Sequence, residues 1–148
     1  MRIRHARHAD IPSLIALEAH AVTAAHWSRD RYEAVFLEAS PKRTALVIEA
    51  EAGLEGFVVG RAVGEEWEIE NIAVAGPARR RGHGTRLLGE FIEQARGQGA
   101  QTVFLEVRES NLAARRLYEK WAFEETGRRK KYYCDPDEDA ITYQLALT

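Results

Sequence analysis

The sequence predicts a mixed α/β (α+β) fold, one β-sheet flanked by helices. Three observations carry that expectation. The chain has 148 residues, 45% hydrophobic and 30% charged, the size and balance of one soluble domain with one sizeable core. Its middle third holds three apolar runs separated by short turns, the pattern of an antiparallel meander. On either side lie segments whose apolar residues recur at helical spacing. No internal repeat, low-complexity tract or long linker interrupts residues 1–148, so a single domain is expected.

Taken in order, Ile3 and its neighbours predict a first strand. Asp10 stands where an N-cap belongs, Pro12 falls in the first turn, and Ile11, Leu14, Ile15, Leu17 and Val22 follow on one helical face. Ser28 opens a second helix carrying Tyr32, Val35 and Phe36, which Pro41 stops. Ala45 to Ile48, Phe57 to Val59 and Trp67 to Val74 are the meander strands, with turns at Ala52-Gly53 and Gly64-Glu65-Glu66. In the third, Trp67 and Ile69 alternate with Glu68 and Glu70, and the alternation then breaks at Asn71. A β-bulge produces such a break. Leu87, Leu88, Phe91, Ile92 and Ala95 form the buried stripe of an amphipathic helix ended by Gly97 and Gly99. Thr102 to Val107 is a strand, and a helix starting near Ser110 carries Leu112, Leu117 and Tyr118. Two last strands, Phe123 to Tyr133 and Ala140 to Leu147, are joined by an acidic loop, Asp135 to Asp139.

Composition excludes several classes of function. The formal net charge of −2 offers no overall positive field for nucleic acid or an anionic membrane. Cys134 is the one cysteine and His5, His8, His20, His26 and His83 lack ligand spacing, so no metal is expected. No cationic segment followed by an apolar one opens the chain, and no apolar stretch approaches the ~20 residues that span a bilayer. A cytoplasmic location is the expectation.

Arg79-x-x-Gly82-x-Gly84 lies between a predicted strand and a predicted helix. Glycines there let backbone approach a ligand, and a helix start offers unpaired N–H groups and a positive dipole end. Arg79, Arg80, Arg81 and Arg86 add charge. The physical reading is a phosphate or pyrophosphate cradle; the plainer one is a strand-to-helix turn with solvated arginines. The Gly-Lys-Ser/Thr ending of a P-loop is absent, as is the third glycine of a dinucleotide-binding fingerprint.

With this turn and the elements after it, the sequence resembles the GNAT superfamily of N-acetyltransferases. Arg79, Gly82 and Gly84 match its acetyl-CoA motif, Gln/Arg-x-x-Gly-x-Gly/Ala, and the stretch Ser110 to Phe123 matches its later signature. The match departs at Trp121-Ala122, where most members carry a small residue and then glycine, which bears on the turn that follows. Trp27-Ser28, Asn71 to Val74, Leu105 to Asn111, Tyr132-Tyr133 and Asp139-Ala140 narrow the likeness to bacterial ribosomal-protein alanine N-acetyltransferases.

The resemblance implies a GNAT-like fold with a central mixed, largely antiparallel, splayed sheet. It also implies acetyl-CoA as co-substrate, without metal. Ile72, Ala73 and Val74 would pair through their backbone with the pantetheine arm, and backbone N–H near Val74 would face the developing oxyanion. Arg79 to Thr85, including Arg80, Arg81, His83 and Thr85, would hold the pyrophosphate, and Asn111 the cofactor further along the arm. Read without the family, Asn111 is an ordinary helix-start residue. Glu106 is the implied general base. Phe104 shares its strand face, which suggests the partial burial that suits a base, although a glutamate on the wet face of a sheet is the plainer reading. Tyr118 is the implied acid for the departing thiolate, or an aromatic of the core. Trp27, Tyr132 and Tyr133 would shape an acceptor channel, or pack as core. The run Arg128 to Lys131 would steer an acidic acceptor, or, on the plainer reading, is a solvated strand edge, and Cys134 receives no role.

The acceptor implied is a protein N-terminal amine, alanine on a ribosomal protein. A small-molecule amine, or a non-catalytic acyl-CoA-binding module, are the competing readings. No direct nucleic-acid partner and no membrane partner are expected.

Overall fold

The computed structural model describes residues 2–19, 27–37, 42–75, 82–134 and 136–147. Strand β1 (Arg2–His5) leads through a 3-10 turn (His8–Asp10) into α1 (Ile11–Ala19) and α2 (Arg29–Val35). The meander β2 (Arg43–Ala50), β3 (Gly53–Val63) and β4 (Glu66–Val74) follows, then α3 (His83–Gly97), β5 (Thr102–Arg108), α4 (Leu112–Lys120), β6 (Glu124–Tyr133) and β7 (Glu138–Ala146). The described strands form one seven-stranded sheet in the order β1-β2-β3-β4-β5-β7-β6. Every neighbouring pair is antiparallel except β4 and β5, which need the α3 crossover because parallel strands cannot be joined by a hairpin. The strand and helix order matches the sequence expectation.

The sheet carries a core on each face. Leu87, Leu88, Phe91, Ile92 and Ala95 of α3 pack on one side with Trp67, Ile69, Val103, Leu105 and Val107. Ile11 and Leu14 of α1 and Tyr32 and Val35 of α2 pack on the other with Val47, Phe57, Val59 and Ala73. The broken alternation in β4 is a bulge. Val59 pairs with Asn71 and Gly60 with Ile69, leaving Glu70 as the extra residue. Because side chains alternate with period two, one added residue exchanges the faces. Trp67 and Ile69 point to the α3 side, but beyond Glu70 it is Ile72 and Val74 that do, and Ala73 turns to α1 and α2.

Helix entry differs from expectation at one end. Ser28 caps α2, its Oγ accepting from the Arg31 N–H at 3.3 Å. Asp10 does not cap α1. The chain is already wound into a 3-10 turn at His8, and the Asp10 carboxylate accepts from the Arg7 N–H at 2.7 Å and from both terminal nitrogens of Arg4 at 2.8 and 3.0 Å. Those bonds hold its carboxyl below the usual range, and a charged partner outweighs a neutral cap. Val22 and Pro41 lie outside the described residues. At the other end of the chain, Glu138 and Asp139, expected in the acidic loop, belong to β7.

The departure at Trp121-Ala122 leaves the turn intact. The Ala122 N–H donates to the Glu119 carbonyl and the Phe123 N–H to the Tyr118 carbonyl, both at 3.0 Å, and Ala122 takes φ 68°, the left-handed conformation that glycine usually supplies after a helix. Trp121 packs against α3, where a Cβ added at Gly89 would lie 3.0 Å from its ring. Ala122→Gly is therefore expected to raise stability by about 0.5–1 kcal/mol, measured as a higher denaturation midpoint with unchanged m-value.

Candidate active site

The parallel ladder of β4 and β5 is short. It runs from Glu66↔Thr102 to Ile69↔Leu105 and stops, at the residue before the bulge. Glu70 is anchored there by Arg43, whose Nε donates to Oε1 at 2.9 Å. Beyond that point the strands diverge, and the β5-facing edge of Asn71 to Ala73 has no strand partner among the described residues. A cleft of ≈ 560 Å³ occupies the wedge.

Five elements meet in this cleft. Ile72, Ala73 and Val74 line it from β4. Gly82, Gly84 and Thr85 line it from the start of α3. Gly82 precedes the helix at φ 80°, so its backbone turns the chain in a conformation that a side chain would strain. The Arg86 N–H donates to the Gly82 carbonyl at 3.0 Å, whereas the N–H groups ahead of it at a helix start have no carbonyl four residues back to bond, and the first turn of α3 holds no acidic residue, which suits an anion. From the other wall come Glu106 and Arg108 on β5, Asn111 and Tyr118 on α4, and Tyr133 on β6.

The strand pattern around Glu106 follows the expected period. Val103, Leu105 and Val107 are buried in the α3-side core, and the Glu106 side chain, on the opposite face, is 15% exposed. Tyr118 is buried, packed at 5.7 Å from the Phe123 ring and 6.1 Å from Tyr143. Its hydroxyl makes no hydrogen bond among the described residues. Burial pushes this phenol above its ordinary pKa, keeping it protonated and able to donate. Asn111 is the N-cap of α4, its Oδ1 accepting from the Ala114 N–H at 3.1 Å, while also bordering the cleft.

Tyr133 reaches the cleft because β6 is irregular. Arg129 pairs with Ala140 and Tyr133 with Glu138, so residues 130–132 stand opposite Asp139 alone. Lys131 takes φ 51° there, and its N–H donates to Asp139 Oδ1 at 2.9 Å. Burial first, and then the charge of Glu106, push the Tyr133 phenol up to about 12. The Arg108 guanidinium covers its ring at 4.5 Å.

The other sequence candidates fall elsewhere. Arg79, Arg80 and Arg81 lie outside the described residues. The His83 side chain is buried, with Nδ1 3.1 Å from Glu55 Oε2, so only its backbone is left to face a ligand. Trp27 sits in the α1–α2 core, 5.4 Å from Tyr32 and beneath Arg31. Tyr132 is 47% exposed and lies under Arg129. Neither borders the cleft. The basic run is more than a solvated edge. Arg128 pairs with Glu109 and Asp139, and Arg129 holds Glu106 itself. The sequence does not show these partners because they come from β5, the turn just after it, and β7, about twenty residues away in the first two cases and about ten in the third.

The chain and its fold are similar to known acetyltransferases. The acetyltransferase (GNAT) family pattern matches residues 10–123. The chain is 34% identical over 143 residues to the [ribosomal protein bS18]-alanine N-acetyltransferase of Salmonella typhimurium, covering 94% of this chain and 93% of that protein. Its fold is similar to the crystal structure of the ribosomal-protein-S18-alanine N-acetyltransferase from Escherichia coli, with TM-score 0.86 and 29% identity over 99% of this chain and 94% of that one. It is also similar to Ard1 from Thermoplasma volcanium, with TM-score 0.90 and 28% identity over 99% and 97% of the two chains.

Proposed function

The chain belongs to the acetyltransferase (GNAT) family, and from that premise we propose that it moves the acetyl group of acetyl-CoA to the α-amine of a protein N-terminus. The acceptor we assign is an N-terminal alanine on a small-subunit ribosomal protein, as the names of its relatives indicate for them. One observation carries the reading: the β4–β5 ladder ends at Ile69↔Leu105 and opens a cleft holding a strand edge, a helix start, a carboxylate and a neutral phenol.

The residues present fit this co-substrate. The edge of Ile72 and Ala73 offers backbone groups to the amides of a pantetheine arm as an added half-strand would. The turn at Gly82 to Thr85 offers N–H groups and a positive dipole end to a pyrophosphate. Acetyl-CoA supplies the activated thioester. Glu106 accepts a proton from the acceptor's ammonium, directly or through one water, and the freed amine nitrogen bonds to the acetyl carbon. The carbon–sulfur bond breaks, Tyr118 donates its proton to the leaving sulfur, and the extra proton left on the new amide nitrogen passes to solvent, from which Tyr118 is recharged. Backbone N–H groups of the β4 edge would stabilise the oxyanion.

Proton cost favours an α-amine as the acceptor. With a reference pKa near 8, freeing it at pH 7 costs about 1.4 kcal/mol, against about 4.6 kcal/mol for lysine near 10.4. The deciding experiment follows thiol release from acetyl-CoA with three acceptors: a peptide with free N-terminal alanine, an N-blocked peptide with internal lysine, and a small primary amine. The expected kcat/KM for the alanine peptide exceeds that for lysine by about 10²-fold, the difference in proton cost. Preference for the small amine would overturn the acceptor assignment, and no thiol release with any of them would leave an acyl-CoA-binding module.

A further inference from the structure

The one described side chain that bonds the Glu106 carboxylate is Arg129. Its Nη1 donates to Oε1 at 2.9 Å and to Oε2 at 3.2 Å. The guanidinium carbon stands 4.1 Å from the centre of the Tyr132 ring. Glu106 is 15% exposed and Arg129 57%, so the cation reaches the carboxylate from the solvent side. Its neighbour Arg128 is held by Glu109 and Asp139 instead. The irregular stretch of β6 that turns Tyr133 into the cleft also brings Tyr132 beneath Arg129.

A carboxylate that takes a proton from an ammonium has to present its oxygens to that ammonium. Arg129 engages both oxygens. An ion pair this exposed is worth about 0.2–1 kcal/mol, little enough for a second cation to displace it. The aromatic face below provides somewhere for the guanidinium to remain. We propose that Arg129 is a positioning residue that stands in for the acceptor's ammonium: it holds Glu106 oriented while the acceptor site is empty, then cedes the carboxylate to the incoming amine and stays stacked on Tyr132. The proposal rests on the reading of Glu106 as the base.

A group that must be displaced competes with the acceptor, so its effect falls on the acceptor's KM more than on kcat. At saturating acetyl-CoA, Arg129→Ala and Arg129→Gln are expected to lower the KM for the alanine peptide about 1.5–5-fold, the exposed-pair energy expressed as a ratio. In a Glu106→Gln background, removing Arg129 is expected to leave the peptide's KM unmoved. A KM that stays constant or rises in the single variants overturns the proposal. Full activity of Glu106→Gln by itself is a different outcome: it removes the base assignment on which the proposal depends.

Discussion

Glu106→Gln is expected to lower kcat for acetylation of an alanine-initiated peptide by about 10²–10⁴-fold, the usual worth of a positioned general base. The amide is nearly isosteric and keeps one oxygen to accept from Arg129, so the fold and the cleft's shape should survive. What it loses is the ability to take a proton. Attack then waits for amine that solution has already deprotonated, and the residual rate should climb with pH as that fraction grows, since the α-amine's reference pKa lies near 8. Steady-state rates across pH, with folding checked by circular dichroism, measure this. An unchanged rate and profile would remove Glu106 from the base role.

Gly60→Ala is the largest stability change expected of a single methyl group. A Cβ at this position would lie 2.2 Å from the Phe91 ring and 2.6 Å from the Glu68 carbonyl oxygen. Phe91 cannot swing away cheaply, being fully buried and set edge-on to Trp67 at 5.8 Å. The carbonyl belongs to the strand paired across the sheet, one step from the bulge. Overpacking of this kind costs about 3 kcal/mol. That corresponds to a fall in Tm of roughly 6–12 °C for a chain of this size. Gly127→Ala, where an added Cβ meets nothing within 4 Å, is the control and should shift the midpoint little. Equal midpoints for the two variants would show that α3 does not rest on β3 as described.

Much of this was legible in the sequence because it is periodic or local. The stripe from Leu87 to Ala95 could only be a helix face, and the break after Glu70 could be read as a bulge from alternation alone. The meaning of that bulge was not legible. It changes which face each later residue occupies, and it coincides with the end of the β4–β5 ladder, which follows from pairing with a strand remote in sequence. Asp10 illustrates a local signal outbid by a distant one: a good N-cap in isolation, it is claimed by Arg4 from β1. Arg129 shows the same limit in the site. Within its own run it is one basic residue among four, and only the β5–β7–β6 order brings it to Glu106. Asn111 satisfied both of its readings at once, capping α4 and bordering the cleft.

The wedge opened at Ile69↔Leu105, with the glycine turn beside Val74 at its far end, is the proposed seat of acetyl-CoA. Titration calorimetry of the folded protein with coenzyme A tests it most directly. One equivalent should bind with heat release, and the affinity should fall when Gly84 is replaced by valine, whose branches would crowd Leu117 and Val74, 3.3 and 3.8 Å from the added Cβ. No binding heat with the unaltered protein, or equal affinity in the valine variant, would contradict the account.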